Sequence, residues 1–91
     1  MTGPHLLVEY DYVEDILERR GPFREEHLAR LRQAKDRGLV LAAGAVGDPP
    51  VGAVIVLTDD RRAAEELVAA DPYVVNGLVT GWRIRPWNVV V

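Results

Sequence analysis

The stretch Arg24-Glu25-Glu26-His27-Leu28-Ala29-Arg30-Leu31 predicts the opening turns of a helix, and the other elements of the chain are placed relative to it. Leu28, Leu31 and Ala34 recur at the spacing of one helix face and mark a buried stripe. His27 lies on or beside that stripe, because it comes one residue before Leu28 and four before Leu31. The ring is either a hydrogen-bonded core histidine or a functional group, and this pattern leaves both interpretations open.

Hydrophobic periodicity divides the rest of the chain into four strands and two main helices. The predicted strands are His5–Tyr12, Leu39–Val46, Val51–Thr58 and Val79–Pro86, and the main helices are Phe23–Arg37 and Arg61–Ala70. A short helix over Val13–Arg20 that breaks at Gly21-Pro22, and one further turn within Pro72–Leu78, are also predicted. Residues Val54–Leu57 are apolar without alternation, which indicates a strand buried on both faces. We expect the apolar tail Trp87–Val91 to pack against the rest of the chain.

The order strand, helix, strand, strand, helix, strand predicts an α+β, ferredoxin-like domain that spans residues 1–91. Its four-stranded antiparallel sheet has both helices on one face, and the first and third strands occupy the centre. The other sheet face is left bare, and burial against a second copy is the simplest way to cover it. We therefore predict a homodimer with the two sheets face to face. Trp82 and Trp87 are expected to be core or interface anchors.

Composition excludes several classes of function. The 91 residues contain no cysteine, so disulfides, thiolate nucleophiles and thiolate metal sites are excluded. They contain no serine, and threonine supplies the only aliphatic hydroxyl groups, which argues against a hydrolase triad. The net charge of −3 argues against sequence-independent nucleic-acid binding, and we predict no nucleic-acid partner. No apolar run approaches the roughly 20 residues of a membrane span. No signal peptide is visible either, so we expect a cytoplasmic protein with no membrane partner.

Metal and cofactor sites are not predicted. His5, His27 and the acidic residues show no spacing typical of metal ligands, so we predict no metal. Gly44, Gly47 and Gly52 flank a hairpin, but no helix-opening phosphate loop follows them. We therefore predict no nucleotide and no other cofactor.

Topology brings two chemically active side chains together. In a ferredoxin-like sheet the first strand ends beside the start of the last strand, the first main helix starts near that edge, and the second ends near it. His27, early in the first main helix, and Asp71, at the end of the second, should therefore meet at one end of the domain. A carboxylate beside an imidazole fixes the tautomer and stabilises the protonated ring, as a general base requires. The alternative for Asp71 is that it only starts a turn with Pro72.

The same residues carry a resemblance that covers nearly the whole chain. The chain resembles the YciI-like (YCII-related) family of the dimeric α+β barrel superfamily. The matching segments are Arg20, Arg24-x-x-His27-Leu28, Leu39–Gly44, Asp71-Pro72-Tyr73-Val74 and Pro86-Trp87. The resemblance implies a ferredoxin-like fold, a homodimer with a ligand cleft between its subunits, and a His–Asp active-site pair. By that resemblance His27 and Asp71 are the catalytic residues. The resemblance also makes Arg20 and Arg24 candidate anion-binding residues and Tyr73 a candidate substrate contact.

Two functions fit this constellation. The first is a small cofactor-free dimeric enzyme that uses His27 as a base and Asp71 as its orienting partner for lyase- or isomerase-type proton transfer. Arg20 and Arg24, near a helix N-terminus, suit a carboxylate or phenolate of a small anionic or aromatic metabolite. The second is a non-catalytic metabolite-binding or structural module with the same cleft. The alternative for the two arginines is a surface pair that bridges nearby glutamates.

Overall fold

The computed structural model describes all residues from 1 to 91 and contains four strands and four helices. The strands are β1 (Gly3–Tyr12), β2 (Val40–Val46), β3 (Gly52–Thr58) and β4 (Val79–Val89), and the helices are α1 (Ile16–Arg19), α2 (Gly21–Asp36), α3 (Arg61–Ala70) and α4 (Pro72–Val75). All strand pairs are antiparallel, and their order across the sheet is β2-β3-β1-β4. β1 and β3 are therefore central, and the predicted α+β, ferredoxin-like fold is confirmed.

Alternation along β1 separates the two faces of the sheet. Leu6, Val8 and Tyr10 are buried beneath the helices, whereas the residues between them point to the open face. β3 is buried along most of its length, and Val56 on the open face is only 8% exposed, against 2% for its neighbour Ile55. The lack of alternation in β3 thus follows from its central position in the sheet.

α2 and α3 cover one face of the sheet through small and branched apolar residues. Ala34 of α2 and Val68 of α3 are completely buried in the main core. Asp60 caps α3, since its side chain accepts a hydrogen bond from the backbone N–H of Ala63 at 3.1 Å. Gly38 follows α2 with a φ of 80°, a conformation that favours glycine after a helix. None of the helices is long and apolar enough to cross a membrane.

The first predicted helix is shorter than expected. The sequence predicts a helix over Val13–Arg20, but α1 has only four residues. The backbone N–H of Val13 instead donates to the carbonyl of Leu78 at 2.9 Å, which ties this segment to the chain just before β4. α2 begins at Gly21, two residues before the predicted start, because Pro22 is well tolerated in the first turn of a helix.

β4 is longer than predicted and takes up most of the tail. The sequence predicts an end at Pro86, but pairing with β1 continues to Val89, which lies opposite Gly3. Pro86 does not end the strand because β4 is at the edge of the sheet, where a missing N–H can face away from the neighbouring strand. The tail therefore joins the sheet up to Val89, whereas Val90 and Val91 are exposed, contrary to the prediction. Both ends of the chain leave the sheet at the same corner.

Charged side chains cover part of the open face of the sheet. Arg83 contacts Asp11 at 3.0 Å, and Glu9 contacts both Arg83 and Arg85. These four side chains on β1 and β4 are referred to below as the open-face ion pairs. They satisfy one another within a single chain and leave the β2–β3 half of this face apolar.

Both tryptophans remain partly exposed. Trp82 is 47% exposed and Trp87 is 39% exposed, so neither is a core anchor within one chain. Their role as interface anchors stays a prediction, as does the homodimer.

Candidate active site

Asp71 occupies the junction between α3 and α4. It ends α3 because its φ of −64° and ψ of 122° are extended. Its side chain then caps α4 by accepting a hydrogen bond from the N–H of Tyr73 at 2.9 Å, and Pro72 follows at the start of that helix. Asp71 does start a turn with Pro72, as the alternative interpretation holds. That role occupies only part of the acceptor capacity of the carboxylate.

His27 meets Asp71 although 44 positions separate them in the sequence. Its Nδ1 lies 2.7 Å from Oδ1 of Asp71, and the two residues are only 6% and 5% exposed. Because an ionised carboxylate only accepts hydrogen bonds, the proton of the neutral ring resides on Nδ1 in this contact. No protein group hydrogen-bonds to Nε2, and this atom is not among the fully buried side-chain atoms that lack a partner. Nε2 is therefore free to face a ligand.

Tyr10 adds a third member that sequence reasoning missed. Its hydroxyl donates to Oδ2 of Asp71 at 2.9 Å, so both carboxylate oxygens are engaged. Burial and the adjacent Asp71 carboxylate raise the pKa of Tyr10 well above its ordinary value, so the phenol stays protonated and donating. The signal was the alternation of β1, which places this phenol on the buried face, where its hydroxyl requires a partner. Tyr10, His27 and Asp71 are referred to below as the buried network.

Tyr73 fixes the plane of the His27 ring. The two rings are stacked with their centroids 3.7 Å apart and an interplanar angle of 2°. Tyr12 in turn packs edge-on against Tyr73, with the ring centroids 5.9 Å apart. The Tyr73 hydroxyl is buried and has no hydrogen-bond partner in the chain. This predicted substrate contact therefore meets the site through its ring and not through an exposed hydroxyl.

A cavity of about 200 Å³ lies beside the buried network, between α2 and strands β2 and β3. Its wall is mainly apolar and includes the ring of His27, the guanidinium-bearing Arg20 and Arg24, and both Tyr12 and Tyr73. Neither arginine has a carboxylate within 4.0 Å, so the alternative in which they bridge surface glutamates is not observed. The cavity thus combines a free imidazole nitrogen with two unpaired positive charges.

Tyr12 is a second cavity residue that was not predicted from the sequence. Burial, together with the nearby Tyr73 hydroxyl and Asp71 carboxylate, raises its pKa to about 12, whereas Arg20 and Arg24 act in the opposite direction. The two guanidinium groups are therefore close enough to influence a phenol in this cavity. The alternation of β1 continues to Tyr12 and places it on the helix-covered face, a position that the sequence pattern already contained.

The structure brings all five predicted site residues into one place. His27 and Asp71 are in contact, while Arg20, Arg24 and Tyr73 line the adjoining cavity. The cavity lies on the helix-covered side of a single chain and not on the open sheet face through which the homodimer is predicted. No group of three or more histidine and acidic side chains is arranged to hold a metal ion.

Comparisons with known proteins agree on one family. The family model for the YCII-related domain matches residues 5–88. Protein YciI of Escherichia coli is 36% identical over 86 residues, which cover 84% of this chain and 88% of that protein. An uncharacterized protein of Haemophilus influenzae is 34% identical over 88 residues, which cover 86% of this chain and 90% of that protein. Both relatives therefore match over most of their length.

Solved structures of the same fold are more distant in sequence. One is 5-chloro-2-hydroxyhydroquinone dehydrochlorinase (TftG) from Burkholderia phenoliruptrix in complex with 2,5-dihydroxybenzoquinone. It matches with a TM-score of 0.76 at 18% identity, over 92% of this chain and 93% of that one. An antibiotic biosynthesis monooxygenase matches with a TM-score of 0.56 at 14% identity, over 97% and 99% of the two chains. At these identities the likeness establishes the fold alone.

Proposed function

The chain belongs to the YCII-related family, and on that premise we propose that it is a small cofactor-free enzyme acting on a small anionic or aromatic metabolite. The proposed chemistry is proton transfer of the lyase or isomerase type, with His27 as the base and Asp71 as its orienting partner. We propose further that residues 1–91 form one domain, that two copies associate through the open sheet face, and that the protein is cytoplasmic.

The free Nε2 of His27 is the observation that carries this proposal. Packing alone does not require an imidazole with a buried carboxylate on Nδ1 and an unpartnered Nε2 beside a cavity. In the proposed step, the lone pair of Nε2 takes a proton from the bound substrate, and Asp71 stabilises the imidazolium that forms. An isomerase returns this proton to another atom of the substrate. A lyase instead releases it together with the departure of a leaving group.

The charges of the cavity favour an anionic substrate. Arg20 and Arg24 are free of carboxylate partners and line the same cavity as His27. A guanidinium group binds a carboxylate or phenolate through directed hydrogen bonds, and the apolar remainder of the wall suits an aromatic or short aliphatic body. The dehydrochlorinase of the same fold was solved with 2,5-dihydroxybenzoquinone, and an oxygenated aromatic ligand of that kind is consistent with this cavity.

A non-catalytic metabolite-binding or structural module is the second candidate. The observation in its favour is the depth of the buried network, because His27 is only 6% exposed and Tyr73 covers one face of its ring. In such a module the contact between His27 and Asp71 stabilises the fold, and the two arginines hold a ligand that undergoes no reaction.

A ligand screen followed by substitution of His27 tests the enzyme proposal. Mixtures of small aromatic and aliphatic acids are screened for thermal stabilisation and for chemical conversion, at concentrations well above the expected Kd. For a compound that the wild type converts, His27→Asn should lower turnover by roughly 10²–10⁴-fold, because a positioned general base contributes about that much.

The matched control is His5→Asn, which removes the other imidazole of the chain from the open face of the sheet. This control should retain full turnover, and gel filtration of both variants checks that each keeps the oligomeric state of the wild type. Unchanged turnover in His27→Asn would remove His27 from the mechanism. A compound that binds both the wild type and His27→Asn but is converted by neither would favour the binding module.

A further inference from the structure

We propose that the cavity beside His27 is one end of a longer groove that binds an elongated ligand with an anionic group at each end of an apolar body. The inference rests on the proposed function, since it takes the His27 end as the reacting end and names the substrate class that fits it. Arg32 and Lys35 of α2 hold the far anionic group, and neither residue has a role in the site described so far.

Two cavities adjoin along the gap between α2 and β2. The second has a volume of about 330 Å³ and lies nearer the C-terminal end of α2 than the first. Leu28, Leu31 and Ala43 line both cavities, so the two spaces are adjoining parts of one groove. The β2 side of the groove is built from the small residues 42–45, whose short side chains leave the gap open. A single aromatic ring at His27 fills only one part of this space.

One stripe of α2 supplies both ends of the groove. Arg24, Leu28, Leu31 and Lys35 follow one another at intervals of four, three and four residues, which aligns them on one helix face. The stripe therefore reads cation, leucine, leucine, cation. At 1.5 Å of rise per residue, Arg24 lies about 12 Å from Arg32 and about 16 Å from Lys35 along the helix axis. A rigid ligand spans the groove when its anionic groups are somewhat closer together than these spacings, because each anion is met by a long cationic side chain.

The groove concentrates the unpaired positive charge of this protein. Six of the eleven basic residues lie within 4.0 Å of a carboxylate, namely Arg19, Arg30, Arg61, Arg62, Arg83 and Arg85. Of the five others, four line the groove, namely Arg20, Arg24, Arg32 and Lys35. No acidic residue lines either cavity. In a chain of net charge −3, this arrangement is complementary to a ligand with two negative charges.

Lys35 already reaches across the gap. Its Nζ donates to the backbone carbonyl of Leu41 at 3.2 Å, in an exposed contact between α2 and the strand opposite. A ligand carboxylate can replace the Leu41 carbonyl as the acceptor, and a bond between the ammonium and a charged carboxylate is stronger than one to a neutral carbonyl. The far end of the groove thus has a cation positioned over it before any ligand binds.

Four rigid acids test the inference. Biphenyl-4,4′-dicarboxylate carries two anions on a long apolar body, and biphenyl-4-carboxylate has the same body with one anion. Terephthalate and benzoate are their single-ring counterparts. Calorimetric titration of the wild type should show the long dicarboxylate binding about tenfold or more tightly than either the long monocarboxylate or terephthalate, because only the long dicarboxylate engages both charged ends.

Substitutions then assign this gain to particular residues. In the double variant Arg32→Gln/Lys35→Gln, the advantage of the long dicarboxylate over the long monocarboxylate should disappear, while benzoate binding is unchanged. Lys35→Gln alone should reduce that advantage. The control for Lys35→Gln is Arg37→Gln, which also removes one positive charge near the same end of α2 but outside the groove. It should leave the advantage of the long dicarboxylate intact. Ala43→Leu fills the junction of the two cavities, so it should weaken both biphenyl acids by a larger factor than benzoate.

Equal affinity for the two biphenyl acids, or no binding of either, would overturn the inference. The inference would also fail if the advantage of the long dicarboxylate survived in the double variant, or if Arg37→Gln reduced that advantage as much as Lys35→Gln does. His27→Asn separates this failure from a failure of the proposed function. Loss of turnover in His27→Asn without a dicarboxylate preference in the wild type keeps the enzyme and rejects the groove. If the wild type prefers the dicarboxylate but His27→Asn retains full turnover, the groove is supported and the role of His27 as the base is rejected.

Discussion

The open-face ion pairs and the buried network place similar groups on the two faces of one sheet, with opposite consequences. Within a single chain, each carboxylate on the open face meets a partly exposed guanidinium, and no charged group of the four is left over for a ligand. In the buried network one carboxylate satisfies a phenol and an imidazole, and the imidazole keeps Nε2 free. Solvated pairs contribute little to stability, whereas buried ones are costly to break. The comparison therefore predicts very unequal effects for matched substitutions.

Asp71→Ala should have the largest effect on stability. It removes the acceptor for Tyr10, His27 and the N–H of Tyr73 at once, in a region that is almost fully buried. We expect a loss of about 3–5 kcal/mol in the free energy of unfolding, measured by urea denaturation. Asp11→Ala, which removes an exposed carboxylate from the open face, is the matched control and should change the unfolding midpoint far less. Equal losses in the two variants would remove the distinction between the faces.

Tyr10→Phe should have an intermediate effect. The variant keeps the ring in the core but leaves Oδ2 of Asp71 without its donor, so we expect a loss of about 1–3 kcal/mol in urea denaturation. Tyr12→Phe is the control, because the Tyr12 hydroxyl makes no hydrogen bond within the chain. The control should unfold at nearly the same denaturant concentration as the wild type. A Tyr10→Phe protein as stable as this control would show that Oδ2 needs no protein donor.

Arg83→Gln should have the smallest effect on stability, and this effect should depend on pH. The hydrogen bond from Arg83 lowers the pKa of the Asp11 carboxyl in the folded protein, so this contact stabilises the fold above the ordinary carboxyl pKa of about 3.9. That contribution is lost as the pH falls through the lowered pKa. The variant should therefore match the wild type at low pH and be slightly less stable near neutrality. NMR titration of Asp11 should show its pKa moving back upward, and an unchanged pKa would contradict the assignment.

Much of the fold follows from patterns that a sequence contains. Alternation in β1 separates buried Leu6, Val8 and Tyr10 from the open face, and the unbroken apolar run in β3 marks a central strand. The ends of the helices and strands are harder to predict from the sequence. The end of β4 lies beyond Pro86 because an edge strand tolerates proline, and that depends on the neighbours of the strand. The length of α1 depends in the same way on a hydrogen bond from Val13 to a distant carbonyl.

The candidate site also has features that the sequence predicts and features that it does not. The meeting of His27 and Asp71 follows from the order of the elements, since topology alone brings the start of one helix near the end of the other. The hydroxyl of Tyr10 on the second carboxylate oxygen depends on distances of a few tenths of an ångström, which no periodicity specifies. The groove depends on the gap between α2 and β2, and its existence follows from small side chains on a strand whose position must first be known.

The pairing of Gly3 with Val89 has a practical consequence. β1 runs from that corner to Tyr12 in the cavity wall, a distance of roughly 30 Å at about 3.3 Å per residue. A peptide tag on either terminus therefore emerges far from the imidazole. A protein captured on a biosensor surface by such a tag presents the His27 end of the proposed groove to the flowing solution, whichever terminus is chosen.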